Sequence, residues 1–164
     1  MSTEFVLTNV RPNGAIAKDI VIRDGRIAEV LPHGSRPFAA GTTTVDGEGL
    51  LMLPGLVDAH THLDKTLLGM PWYRNDVGLE LIDLIENERR MKRALGIDPQ
   101  RQSAAQIERS VINGTTHIRT HVDIDTEYGL AGLEGVLASR ERYRDIVDIQ
   151  IVAFPQSGML IRPG

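Results

Sequence analysis

The sequence contains no cysteine. Disulfides, thiolate metal sites and cysteine nucleophiles are therefore excluded, and the absence fits a reducing compartment. Nor is there an apolar run long enough to cross a bilayer: the stretch from Leu50 to Val57 is short and is broken by Pro54-Gly55. The N-terminus, Met1-Ser2-Thr3-Glu4, carries an acidic residue and no long apolar core, so it does not read as a signal peptide. A cytoplasmic protein with no membrane partner is the expectation. An excess of positive charge is missing too. Lys and Arg number 18 against 22 Asp and Glu, a net charge of -4, which leaves no electrostatic reason to bind DNA or RNA. The densest basic cluster, Arg89, Arg90, Lys92 and Arg93, falls beside Glu86 and Glu88 and reads as a solvated helix face. Finally, no Gly-x-Gly-x-x-Gly or Gly-x-x-x-x-Gly-Lys-Ser/Thr occurs at a strand-to-helix turn, which argues against a nucleotide-binding α/β domain.

What is present is an ordinary globular composition, 41% hydrophobic and 24% charged over 164 residues, enough for a real core. Its patterning falls into two halves. Residues 1–53 read as part of a small β domain. Phe5 to Val10, Asp19 to Arg23 and Arg26 to Val30 have strand character, and Asp24-Gly25 between the last two is a hairpin turn signal. Thr42 to Asp46 and Leu50 to Leu53 add further extended segments, and no helical period appears. Residues 54–164 change grammar. Leu56 to His60 is strand-like. Leu81, Ile82, Leu84, Ile85, Met91 and Leu95 follow helical spacing. A second helix is expected from about Pro99 to Asn113, with Ala104, Ile107, Val111 and Ile112 on one face and Gly114 ending it. Thr115 to Asp123 is a strand, Leu130, Leu133, Val136 and Leu137 mark a third helix, and Asp148 to Phe154 is another strand. Strand alternating with helix is the signature of a parallel sheet.

Side chains alternate along a strand, so each strand can be split into two faces. Ile118, Thr120, Val122 and Ile124 oppose His117, Arg119, His121 and Asp123. Val57, Ala59 and Leu63 oppose Asp58, His60, His62 and Asp64. Ile149, Ile151 and Ala153 oppose Asp148, Gln150 and Gln156. A doubly wound sheet needs strands apolar on both faces. One apolar and one ionisable face suits a barrel, whose apolar side meets outer helices and whose polar side points inward.

His60-Thr61-His62 places two imidazoles two residues apart at a strand end, projecting to one side. Neutral imidazole is a good ligand for zinc or iron, and barrel active sites gather at C-terminal strand ends. Such a pair is also compatible with two solvated histidines. Its context is more specific. Leu53-Pro54-Gly55-Leu56-Val57-Asp58-Ala59-His60-Thr61-His62 resembles the opening metal-binding motif of the amidohydrolase superfamily. The segments Gly114 to Asp123 and Ile149 to Gly158 are similar to the cytosine deaminase branch, which includes enzymes removing alkylamino groups from triazine rings.

The resemblance implies the first three βα units of a TIM-type (β/α)8 barrel preceded by part of a small β-sandwich domain. It implies that His60 and His62 are metal ligands for one divalent ion, zinc or iron, and that Gln156 contacts the substrate ring. An amide suits that task because it offers both donors and an acceptor. The implied activity is metal-assisted hydrolysis, deaminating a cyclic amidine or nucleobase-like ring such as cytosine. A complete barrel takes eight strands and ~250 residues. Two further histidines, an aspartate and a proton-shuttling glutamate are implied on later strands, so the 164-residue chain alone is expected to be inactive. His121 and Asp123 are expected near the pocket mouth in supporting roles. Arg119 is expected to pair with Asp58 or Asp123, and Asp64-Lys65 is a further pocket candidate. The alternative is a non-catalytic assembly piece that needs a complementing chain. Cytosine, isocytosine, creatinine-like rings and aminotriazines all remain open as substrates, and a homo-oligomer is compatible with exposed strand edges.

Overall fold

A computed structural model of the chain describes residues 4–126 and 128–160. The Met1-Ser2-Thr3 segment lies outside the described residues. The chain divides into two units, Met1–Pro54 and Gly55–Gly164.

The first unit is all β. Strands β1 (Glu4–Pro12), β2 (Lys18–Arg23), β3 (Arg26–Pro32) and β4 (Thr43–Asp46) form a sheet in the order β3-β2-β1-β4, and the short β5 (Leu51–Met52) also pairs with β1. The β2–β3 hairpin turns on Asp24 and Gly25, which both take positive φ (50° and 73°), as the tight turn signal requires. Val6, Val10, Ile20 and Val21 are its buried apolar residues, whereas Ile27 and Val30 remain more than half exposed. Buried Asp19 ties this unit together. Its carboxylate accepts hydrogen bonds from the Asn9 N–H (2.9 Å) and the Gly34 N–H (2.9 Å), and it pairs with the His33 ring (2.8 Å). Burial pushes the Asp19 carboxyl up, but these hydrogen bonds outweigh it and hold the group below its usual value.

The second unit alternates strand and helix. Its order is β6 (Leu56–Thr61), α1 (Leu81–Ala94), α2 (Pro99–Ile112), β7 (Thr115–Asp123), α3 (Ala131–Arg142) and β8 (Asp148–Phe154). The three strands form a parallel sheet, β6-β7-β8. Local chemistry sets the helix ends. Asp98 caps α2, accepting from the Gln100 and Arg101 N–H groups, with Pro99 at the first helical position. Gly114, at φ 92°, lies just past the other end of α2.

Ile118, Thr120 and Val122 of β7 and Ile149 of β8 point to one side of the sheet, where Ile107 of α2 and Val136 of α3 complete a buried core with Leu63. The opposite side carries His117, Arg119, His121 and Asp123 in register with Asp148, Gln150, Val152 and Phe154. The split into an apolar helix-facing side and a polar side therefore holds for β7, whereas in β8 the polar side carries Val152 and Phe154 beside Asp148 and Gln150. Ile112 and Leu137 sit one residue beyond the core positions Val111 and Val136, a turn of about 100° around the helix, and are 73% and 40% exposed.

The structure corrects two readings. In β6, Asp58 lies opposite Ile118 but Thr61 lies opposite Thr120, so β6 uses three steps where β7 uses two. This bulge inverts the parity midway. Val57 is in register with His117 on the polar side, while Leu63 enters the core. Helix α1 departs further. Its apolar Leu81 and Ile82 are exposed, and its buried residues are Asn87, Arg89 and Lys92. The basic cluster is thus not a uniformly solvated face, because Lys92 finds buried carboxylate partners.

Candidate metal centre and ring pocket

The bulge gathers three imidazoles at the C-terminal end of the sheet. The ring centroids of His60 and His62 are 5.5 Å apart in an edge-to-face arrangement. His121 of β7 stacks on His60 at 4.2 Å and lies 5.9 Å from His62. Phe154 of β8 approaches both His62 (5.7 Å) and His121 (5.8 Å), giving the cluster an apolar flank.

Burial lowers the pKa of His62, with the Lys65 cation adding to the effect and the Asp123 carboxylate opposing it. A neutral ring is the ligating form of histidine. The buried Nδ1 atoms of His62 and His121 have no hydrogen-bond partner among the described residues. The gathered rings, with free Nδ1 capacity on His62 and His121, fit a divalent ion as part of a donor set. They are not a complete one, since among the described residues no group of three or more His, Asp or Glu side chains could hold an ion.

Beside the histidines lies a hollow of about 450 Å3, lined by His62, Lys65, Leu84, Ile85, Glu88, Phe154 and Gln156 among others. A larger hollow, of about 770 Å3, is lined by Val57, His117, Arg119 and Gln150. It lies toward the N-terminal ends of the strands, the end of a parallel sheet that ordinarily carries stability rather than chemistry. The smaller hollow is the better candidate site.

The polar centre of that hollow is Lys65, whose side chain is 9% exposed. Its ammonium donates to Glu88 Oε1 (2.6 Å), Gln156 Oε1 (2.8 Å) and Asp123 Oδ2 (3.0 Å). Gln156 in turn donates from Nε2 to Glu88 Oε1 (3.2 Å). Asp123 also accepts from buried Lys92 (2.8 Å). Burial raises the Asp123 carboxyl, but Lys92 and Lys65 overcome this and hold it below its usual value. Asp64 is less well compensated. Its carboxylate accepts from the Asp123 N–H (3.0 Å), and burial pushes it up to about 6, with the Asp123 charge adding to the rise.

The structure therefore brings His60, His62, Gln156 and Lys65 to one end of the sheet, with His121 and Asp123 behind them. It does not bring Arg119 to Asp58 or Asp123. Arg119 donates to Gln150 (2.7 Å), its in-register neighbour, and Asp58 falls on the other face, opposite Ile118. His117 contacts Thr116 and stands apart from the cluster. Asp64 turns toward the Asp123 backbone rather than into the hollow. Glu88 and Lys92 were missed. The sequence shows them only as two charges among several on one helix, and nothing in their spacing says which charges are buried.

The match to known proteins is consistent along the chain. Residues 43–162 match the model of an amidohydrolase family, and the chain belongs to that family. It is 35% identical over 126 residues to an N-isopropylammelide isopropyl amidohydrolase of Pseudomonas sp. strain ADP, covering 71% of this chain and 30% of that protein. Among solved structures, it superposes with a TM-score of 0.90 on an N-isopropylammelide isopropylaminohydrolase from Burkholderia multivorans, at 50% identity over 99% of this chain and 40% of that one. A 5-methylcytosine deaminase from Klebsiella pneumoniae gives a TM-score of 0.75 at 30% identity, covering 96% of this chain and 38% of that one. The chain thus spans less than half the length of these relatives. Among the described residues no helix is long and apolar enough to cross a membrane.

Proposed function

We propose that the intact protein carrying this chain is a metal-dependent hydrolase that cleaves an exocyclic C–N bond of a nitrogen-rich ring. The ring is a cyclic amidine of the cytosine or aminotriazine kind, and the amine that leaves is ammonia or a small alkylamine. One observation carries this reading: the adjacent His60 and His62 rings adjoin a hollow whose polar wall is Lys65 and Gln156. Membership of an amidohydrolase family and the 50% identity to an isopropylaminohydrolase support the alkylamino branch.

In this reading His60 and His62 hold one divalent ion, zinc or iron, with further ligands from outside this chain. When bound, such an ion supplies Lewis acidity that makes water a nucleophile near neutral pH. His121 buttresses His60. Gln156, held in place by Lys65, orients the ring through its polar edge, and Phe154 with the aliphatic residues of α1 covers its faces and any alkyl group. Water adds to the ring carbon, the C–N bond breaks, and the nitrogen leaves with a proton as the amine, so the ring gains oxygen and loses nitrogen. The fold counterpart is that β6, β7 and β8 are the first three strands of a (β/α)8 barrel, with residues 1–53 part of a β-sandwich. We assign the protein to the cytoplasm, with a small heterocycle as its partner rather than nucleic acid or membrane.

The test is made on the full-length protein. Metal content and release of amine from cytosine, isocytosine and N-alkylaminotriazines are measured for the parent, His60→Ala and His62→Ala. Loss of bound metal and of turnover in both variants is expected. Full metal content and activity in both variants overturns the proposal. A second reading, a non-catalytic piece completed by another chain or copy, draws on the exposed apolar residues of β6, such as Val57 at 65%. It requires that both histidines be replaceable without consequence.

A further inference from the structure

We propose that Glu88 is a positioning residue: it fixes the Lys65 ammonium and the Gln156 amide in one orientation, and thereby sets which donor–acceptor edge of a ring the pocket accepts. The proposal deepens the functional reading above and rests on Gln156 meeting the substrate.

The three side chains form a closed triangle. Glu88 Oε1 accepts from Lys65 Nζ at 2.6 Å and from Gln156 Nε2 at 3.2 Å, and Lys65 Nζ donates to Gln156 Oε1 at 2.8 Å. An ammonium can only donate and an ionised carboxylate can only accept. The carbonyl end of Gln156 must therefore face Lys65, and its amino end must face Glu88. Turning the amide over would set NH2 against NH3+ and C=O against COO−, two repulsive contacts in place of two charge-assisted hydrogen bonds.

This matters because a glutamine amide reads a ring edge by the order of its two ends. After the triangle is satisfied, one Nε2 proton and one Oε1 lone pair remain for a ligand, in a fixed order. Rings whose donor and acceptor are exchanged meet the wrong partner at both positions. Lys65 cannot impose that order alone. All three of its protons are engaged, the third by Asp123 at 3.0 Å, and Asp123 is 3% exposed and shared with Lys92. Without Glu88, two carboxylate-bound cations remain beside Asp123, and the Lys65 side chain is drawn toward Asp123 and away from the amide. Glu88 is the counterweight on the opposite side of the ammonium. It is also the partner at the pocket rim, 36% exposed, beside Leu84 and Ile85 in the wall of the same hollow.

The test compares Glu88→Leu and Glu88→Gln with the parent, in the full-length protein. A glutamine at 88 can still accept from both Lys65 and Gln156, whereas leucine cannot. Two isomeric rings with exchanged edges, cytosine and isocytosine, serve as probes alongside the best aminotriazine. For Glu88→Leu we expect KM for the preferred ring to rise roughly 10-fold, kcat to stay within roughly 3-fold, and the kcat/KM ratio between the isomers to fall roughly 10-fold. Glu88→Gln restores most of that ratio. The second measurement needs no substrate. In protein labelled with side-chain 15N-glutamine, the Gln156 amide protons shift on Glu88→Leu and return toward the parent position in Glu88→Gln, with Gln156→Ala assigning the signal. If no ring is hydrolysed by the parent, the functional reading fails, and the amide signals still decide whether Glu88 locks Gln156. Unchanged amide signals and an unchanged isomer ratio in Glu88→Leu overturn the proposal. So does a proportional loss of activity toward every ring with no rescue by glutamine, the signature of a merely structural residue.

Discussion

The imidazole of His121 lies against that of His60, with ring centroids 4.2 Å apart and planes inclined by 23°. The two residues are 61 positions apart in the chain, and the contact exists because β6 and β7 are parallel neighbours. In the proposed site, a ring packed on His60 fixes that imidazole's orientation before metal arrives. Removing such support from a metal ligand typically costs 10–100-fold in affinity. His121→Ala is therefore expected to weaken zinc binding by the intact protein about 10-fold, as read by competition with a chromophoric chelator. His121→Phe, which keeps the stacked face, is expected to retain most of it. Equal affinity in the parent and His121→Ala would sink the idea.

Lys92 and Asp123 form an ion pair of 2.8 Å with both side chains nearly inaccessible, at 2% and 3% exposure. Removing one member leaves an uncompensated buried charge, which costs ~3–5 kcal/mol when the pair is fully enclosed. Here Lys65 still neutralises part of Asp123, so Lys92→Met is expected to cost about 3 kcal/mol, toward the lower end of that range. Denaturant unfolding of parent and variant measures it. A change below about 1 kcal/mol, the scale of an exposed pair, contradicts the expectation.

Asp19 has a folded-state pKa below its ordinary 3.8. In acid the unfolded chain therefore takes up its proton first, and folding stability falls as protons are added. The contribution of Asp19 is fully present above its unfolded value and is lost as pH drops through its folded one. Asp19→Asn is expected to lower stability at neutral pH and to flatten the decline below about pH 4. Unfolding midpoints from pH 2 to pH 7 test this. An acid limb as steep in the variant as in the parent speaks against it.

Gly55 enters β6 directly against Thr116. A Cβ there would stand 2.3 Å from Thr116 Oγ1 and 2.4 Å from its Cγ2. Overfilling of this kind costs ~1–3 kcal/mol. Gly55→Ala is expected to destabilise the second unit by about that amount, and adding Thr116→Ala to recover part of the loss. Melting curves for the two single variants and the double variant form the test. Strict additivity would show that the two residues do not compete for space.

Much of the fold was legible because its signals are local. The Asp24-Gly25 turn, the Asp98-Pro99 start of α2, Gly114 beyond its end and the alternation along β7 each depend on a few adjacent residues. The His60–His62 pair and Gln156 were legible as a motif, and the fold does bring them to one end of one sheet. Arg119 was misassigned because the sequence shows which face it occupies but not which residue the next strand places beside it. That residue is Gln150.

By itself, the sequence determined the family, the order of strands and helices, and the residue types available for chemistry. The family follows from the resemblance of contiguous motifs, and the element order from periodicity. Tertiary structure alone decided the rest. The β6 bulge is one extra residue between Asp58 and Thr61 relative to Ile118 and Thr120 of β7, a property of the pairing and not of either strand. That bulge sends Leu63 into the core while His60 and His62 meet His121. Likewise, nothing next to Lys92 says that it is buried. Its burial is tolerable because the fold brings Asp123 to it from 31 residues away and Asp125 beside it. The same holds for Glu88, which is one charge among several along α1 until the fold sets it between Lys65 and Gln156.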